Sequence, residues 1–139
     1  MAKLFKVEVV TPKGIVLDKE VEEIVAPGVL GEFGVLIGHT PMLTFLKPGV
    51  LSYLENDKFT KFVVGAGFCE VLKETVSVLV EEAYRADEID PASASAELAQ
   101  WEGELKKLDA AKEAAEYENV TKRIQVARAK VNLASGSAH

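Results

Sequence analysis

The period of the apolar residues changes near residue 90, and this change constrains the fold more than any other feature of the chain. Up to Glu82 apolar and polar residues alternate, the two-residue period of strands. From Pro91 onward apolar residues recur every three or four positions, the period of a helix. Gly103 and Gly136 are the only Gly or Pro after Pro91. The pattern predicts a compact β module joined to a helical tail. A tail with its own apolar seam invites either docking or release, which points to a mechanical or regulatory part and away from a catalytic pocket.

In the first half, Phe5, Val7 and Val9 alternate, and Pro12-Lys13-Gly14 is a turn before Ile15-Val16-Leu17. Val50–Leu54 leads through Asn56-Asp57, a hairpin signal, to Phe59, Lys61 and Val63. Phe68–Leu72 leads to Val76, Val78 and Val80. Short strands separated by turn chemistry read as an antiparallel sandwich or barrel. Residues 26–49 are less regular, with five glycines and three prolines among many apolar residues. They read as a strand pair reaching the edge of the core, or as a contact patch for a partner.

Asp90-Pro91 starts the helical half, with Asp as cap and Pro in the first helical position. Leu98, Trp101, Leu105 and Leu108 form one seam; Tyr117, Val120, Ile124, Ala127, Val131 and Ala134 form another, out of phase with the first. A break between Leu108 and Glu116, with Asp109 as a possible second cap, lets the two stripes face each other in a hairpin. With no Gly or Pro at the break, a loose joint is expected. Trp101 is expected in the seam or against the sheet. The expected class is therefore α+β (mainly β): an antiparallel β-sandwich or barrel over residues 1–86, then a helix-turn-helix over residues 87–139.

Chemistry is sparse. No GxSxG, HExxH or phosphate loop occurs. His39 and His139 are the only histidines and Cys69 the only cysteine, too few for a metal set. Glu32 and His39 could form an acid–base pair, but no nucleophile accompanies them, so His39 reads as packing or capping a turn. Cys69, in a strand-like setting, reads as a buried reduced thiol, which suits the cytosol or a surface facing it. The longest uncharged run, Phe33 to Leu46, is shorter than the roughly 20 residues of a membrane span. Net charge is −6, yet Lys122, Arg123, Arg128 and Lys130 carry the last twenty residues with no acid. These cations either meet an acidic partner or offset a helix dipole. Without interleaved aromatics they are a poor footprint for nucleic acid.

Gly31-Glu32-Phe33-Gly34-Val35-Leu36-Ile37-Gly38-His39-Thr40-Pro41-Met42-Leu43, followed by Leu46–Val50, resembles the ε subunit of the bacterial F-type ATP synthase. Val9–Pro12, Gly65–Val71 and Ala83–Asp90 extend the resemblance along the chain. It implies a ten-stranded sandwich with a C-terminal helical hairpin, in a non-catalytic central-stalk subunit that turns with the γ subunit and the c-ring and couples proton flow to ATP synthesis. It implies a place on the cytoplasmic face of the inner membrane, peripheral and without membrane insertion. Glu32, Phe33, His39 and Met42 fall near the implied γ and c-ring contact. Lys122, Arg123, Arg128 and Lys130 fall where the extended hairpin would meet the α and β subunits of the catalytic head and inhibit ATP hydrolysis. No cofactor is implied. Some relatives bind ATP at the hairpin start; here Ile89, Asp90 and Arg128 match that pattern, while Ser93 and Asn132 stand in place of arginines. Losing bidentate phosphate donors predicts weak or absent ATP binding. Ile37 stands where proline is usual before Gly-His, which softens that turn. Two rival readings are a stand-alone sandwich dimerising through its helices, and a small hydrolase using Glu32 and His39.

Overall fold

The computed structural model describes residues 3–136; His139 lies outside them. Ten strands come first: β1 Phe5–Thr11, β2 Gly14–Val21, β3 Glu23–Gly28, β4 Gly31–Leu36, β5 Met42–Leu46, β6 Gly49–Glu55, β7 Lys58–Val64, β8 Gly67–Val71, β9 Thr75–Val80 and β10 Ala83–Arg85. A 3₁₀ turn, Ala86–Glu88, leads to helices α1 Pro91–Lys106 and α2 Ala114–Ala134. The expected β-sandwich followed by a helical hairpin is the fold observed.

The strands run in the order β10-β7-β6-β3-β5-β8-β9-β1-β2, with β4 on the side of β3. β3 pairs with β6 through Glu23–Val25 but meets β5 only at Gly28 opposite Leu46. The sheet turns its corner there and folds into two layers. All pairs are antiparallel except β1 with β9, a crossover that ties the first strand to the last long one. Residues 26–49 hold β4 and β5, which pair with β3 and β8 and not with each other.

Period-2 alternation places the core. In β1 Phe5, Val7 and Val9 are buried; in β9 Val76, Val78 and Val80 are. They meet Ile24, Leu51, Phe62 and Val64 from the facing layer. The β6–β7 hairpin turns on Asn56 and Asp57, both at positive φ (51° and 63°). That is the geometry whose twist matches the flanking strands, and Asn and Asp tolerate it.

The helices form an antiparallel hairpin, and α2 carries it onto the sandwich by packing on β6 and β7. Val126, Ala129 and Leu133 of α2 join Val50, Val63, Tyr84 and Ile89 in a second apolar cluster outside the main core. α1 stacks on the other side of α2 and buries only Ala94 fully. The joint, residues 107–113, overlaps the break expected between Leu108 and Glu116 but opens earlier, so Leu108 lies in the joint and not on α1. Asp109 does not cap α2; its carboxylate accepts from the amides of Ala111 and Lys112, and Glu113 closes back onto the Asp109 amide at 3.2 Å. A reciprocal side-chain turn replaces Gly or Pro, so the joint is hydrogen-bonded where a loose one was expected.

Candidate functional site: an apolar sheet face and a docked basic helix

A sandwich strand shows one side to the core and the other outward, so residues paired across strands share a face. On the β5-β8-β9-β1-β2 layer, Phe45 pairs with Phe68, Phe68 with Leu79, Leu79 with Val10, and Val10 with Ile15. This is one unbroken apolar row across five strands, about 19 Å long at ~4.8 Å per strand. Phe45 is 66% and Ile15 63% exposed. A bulge between Val9 and Val10 sets the register that brings Ile15 opposite Val10. The next row along reads Leu43, Glu70, Ser77, Glu8, Asp18, so the apolar row is flanked by acids. At the β5 end, the Val29 amide donates to the Phe45 carbonyl at 3.0 Å, and Leu30 beside it is 99% exposed. A contiguous apolar strip of this size on a small domain marks a partner surface. Alternation gives each side chain's face, but the row appears only once strand order and register are known.

Of the four residues expected near the γ and c-ring contact, Glu32 and Phe33 lie on β4 and Met42 opens β5, while His39 sits in the turn between these strands. Phe33 and Met42 give part of their surface to the main core. His39 is half-buried; its amide donates to the Leu36 carbonyl at 3.1 Å and its Nδ1 lies 2.7 Å from the Thr40 carbonyl oxygen. It caps a turn. Glu32 sits at the other end of β4 and lines a cleft of about 350 Å³ with Lys47, Gln125, Arg128 and Asn132 of the sandwich and α2. The strand separates Glu32 from His39 by about 13 Å along its own length at ~3.3 Å per residue, so the acid–base pair of the hydrolase reading does not assemble.

The four cations of α2 face different ways. Arg128 reaches Glu102 of α1 at 3.2 Å, and Arg123 lies over the Trp101 ring, 5.0 Å from its centroid. Lys130 sits 3.5 Å from Glu97 of α1 and 4.0 Å from the centroid of Tyr84 of β10. Lys122 lines a crevice with Pro48, Glu81 and Glu82 of the sandwich. No basic residue falls in the last turn of α2. The helix-dipole explanation of these cations therefore gives way to pairing between elements.

At the hairpin start, Asp90 caps α1: it accepts from the Ala92 amide at 3.3 Å and from the Ser93 hydroxyl at 2.7 Å. The hydroxyl holds its carboxyl below the usual value. Ile89 packs on the second cluster and Arg128 turns to Glu102. Ser93 thus occupies the carboxylate where the nucleotide-binding pattern carries arginine. Cys69 is fully buried, and burial pushes its thiol up to about 12; at that value it is neither nucleophile nor ligand. Tyr84 is pushed up by burial and by donating to Glu82 at 2.7 Å. Among the described residues no group of three or more His, Cys, Asp or Glu is placed to hold a metal, and no helix is long and apolar enough to cross a membrane.

Residues 4–86 match the family described as ATP synthase, Delta/Epsilon chain, beta-sandwich domain. The ATP synthase epsilon chain of Citrifermentans bemidjiense is 52% identical over 108 residues, 78% of each chain. The chain belongs to the ATP synthase epsilon-chain family. The epsilon chain of Geotalea daltonii is 50% identical over 109 residues, 78% of this chain and 79% of that one. A chain of the Euglena gracilis mitochondrial ATP synthase, in an assembly containing the c-ring, shares the fold with a TM-score of 0.77. It is 23% identical and the match covers 91% of this chain and 78% of that one. A chain from the central stalk and c-ring of the Tetrahymena thermophila mitochondrial enzyme has a TM-score of 0.64 at 20% identity, covering 92% and 98%.

Proposed function

We propose that this epsilon chain is a non-catalytic rotor subunit of a proton-translocating ATP synthase, peripheral on the cytoplasmic side of the membrane. The observation that carries the reading is the five-strand apolar row. Such a row fits a preformed apolar partner surface, and the γ subunit is the partner the family implies. Glu32, Phe33, His39 and Met42, on β4, β5 and the turn between them, would add the remaining γ and c-ring contacts. The sandwich would then transmit rotation, with residues 1–86 as the coupling unit and residues 87–139 as a movable one. Fold similarity to chains of central-stalk and c-ring assemblies supports this.

The hairpin is proposed as a brake on ATP hydrolysis. Extended, α2 would present Lys122, Arg123, Arg128 and Lys130 to acidic segments of the α and β subunits. Deleting residues 88–139 should leave synthesis intact and raise hydrolysis; unchanged hydrolysis would remove the brake. ATP is proposed to bind weakly or not at all, because Ser93 engages Asp90 and Asn132 replaces a phosphate donor. A titration giving micromolar affinity would overturn that. The dimer reading finds little support: Leu98, Trp101 and Leu105 are half-buried within the hairpin, and every exposed large apolar side chain among the described residues lies before Pro91. The decisive test is co-purification from membranes: γ and c-ring should be retained by the wild-type chain and lost with Phe45→Glu and Leu79→Glu together.

A further inference from the structure

Lys130 occupies an unusual place for a lysine. Its side chain is only 13% exposed, on a helix that lies between two other elements. A buried ammonium must find partners or it opposes folding. Lys130 finds one on each side: the Glu97 carboxylate on α1 at 3.5 Å and the Tyr84 ring on β10 at 4.0 Å. Tyr84 is itself fixed by donating to Glu82 at 2.7 Å. Three elements, α2, α1 and β10, therefore meet at one charge. Arg123 over Trp101 and Arg128 against Glu102 repeat the arrangement along the same α1–α2 seam.

We propose that Glu97, Trp101 and Glu102 of α1 act as an internal counter-surface for the basic residues of α2, and that Lys130 is the pin that latches the closed hairpin to the sandwich. The latch needs no ligand. Glu97 ties Lys130 to α1, and Tyr84 ties it to the strand from which the hairpin departs. α2 cannot leave β6 and β7 without taking Lys130 off the Tyr84 ring. α1 cannot separate from α2 without stripping Glu97 and Glu102 from their cations. An outside acidic surface would have to displace α1 from these same cations, so closed and partner-bound arrangements exclude each other. Only this last consequence rests on the braking function proposed above; the latch stands or falls in the isolated chain.

Lys130→Met keeps the length and apolar stem of the side chain while removing its charge; Glu97→Gln removes the partner from a site that is partly open. Amide hydrogen exchange of the full-length chain reads the result, with the β1 and β9 amides reporting the integrity of the sandwich. Exchange across Val126–Leu133 should accelerate about tenfold in Lys130→Met and several-fold in Glu97→Gln, while β1 and β9 stay protected. The double variant should be no faster than Lys130→Met alone, the signature of a shared interaction. Added salt should speed α2 exchange in the wild type and speed it less in the double variant, which keeps Arg128 against Glu102. Lys106→Met, a charge removed from the exposed end of α1, should change nothing. Unchanged α2 exchange in both Lys130→Met and Glu97→Gln would overturn the latch, as would strictly additive effects. If Lys130→Met also unprotects β1 and β9, Glu97→Gln decides alone. Loosened exchange with unaltered hydrolysis by the assembled enzyme would leave the latch standing and count against the brake.

Discussion

At Gly67 the backbone of β9 lies so close that an added Cβ would collide with the Leu79 carbonyl oxygen. The neighbouring atoms are main chain in a paired sheet and have nowhere to go. Gly67→Ala should therefore cost several kcal/mol, in the range of overpacked cores at about 1–3 kcal/mol or beyond, read as a lower midpoint in urea unfolding. Asp90 gives a residue-scale effect with a sign. Its carboxyl is held below its ordinary 3.8 in the folded chain, first by the Ser93 hydroxyl and then by backbone amides. A depressed folded value means its contribution is complete above 3.8 and disappears as pH falls through the lower folded value. Acid should fray α1 in the wild type, while Asp90→Asn, a neutral cap, should show no such step in helical circular dichroism. Asp90→Ala should lower the helical content of α1 at neutral pH, because the first-turn amides lose their acceptor. Cys69, with its thiol raised to about 12 by burial, should react with thiol reagents only on unfolding.

Among the elements, α2 is the one on which the hairpin depends. Val120, Ile124 and Ala127 are buried toward the α1 side, whereas Val126, Ala129 and Leu133 pack on β6, β7 and the segment after β10. Helices of this length hold little structure alone in water, so packing supplies their stability. Leu133→Ala should weaken docking by about 2 kcal/mol. The loss should show as faster exchange along α2 with the sandwich midpoint unchanged, because Leu133 belongs to the second cluster and not to the main core. A fall in the sandwich midpoint of equal size would mean that the two clusters unfold as one.

For the whole molecule, the division of exposed apolar surface is the informative feature. The sandwich leaves Ile15, Leu30, Leu43 and Phe45 in the open, while the hairpin leaves no large apolar side chain exposed among the described residues. In this arrangement the helices are satisfied and the sheet is not. A partner for the sheet face and an internal resting place for the hairpin follow from the same count. The salt response should differ accordingly: closed-hairpin contacts depend on ion pairs and weaken with salt, whereas binding through the apolar row should persist.

How much of this was open to inspection in the chain itself depends on range. Alternation in Phe5–Val9 and Val76–Val80, the Asn56-Asp57 turn, the Asp90-Pro91 start and the seam through Leu98 and Leu105 are local signals, because backbone sterics and side-chain direction act over a few residues. They were enough for two kinds of secondary structure, the two-helix break and the buried thiol. The row from Phe45 to Ile15 needs four strand pairings and a bulge, and no local rule sets which strands become neighbours. The second stripe of α2, through Val126 and Leu133, is invisible until the sheet surface it covers is known. Lys122, Arg123, Arg128 and Lys130 read as one basic run along the chain, yet folding sends Arg123, Arg128 and Lys130 to different partners and sets Lys122 in a crevice beside Glu81 and Glu82. Sequence determined the elements through short-range conformational preference; tertiary packing alone decided which surfaces stay bare and which charges are already spoken for, because both depend on what long-range contact brings alongside.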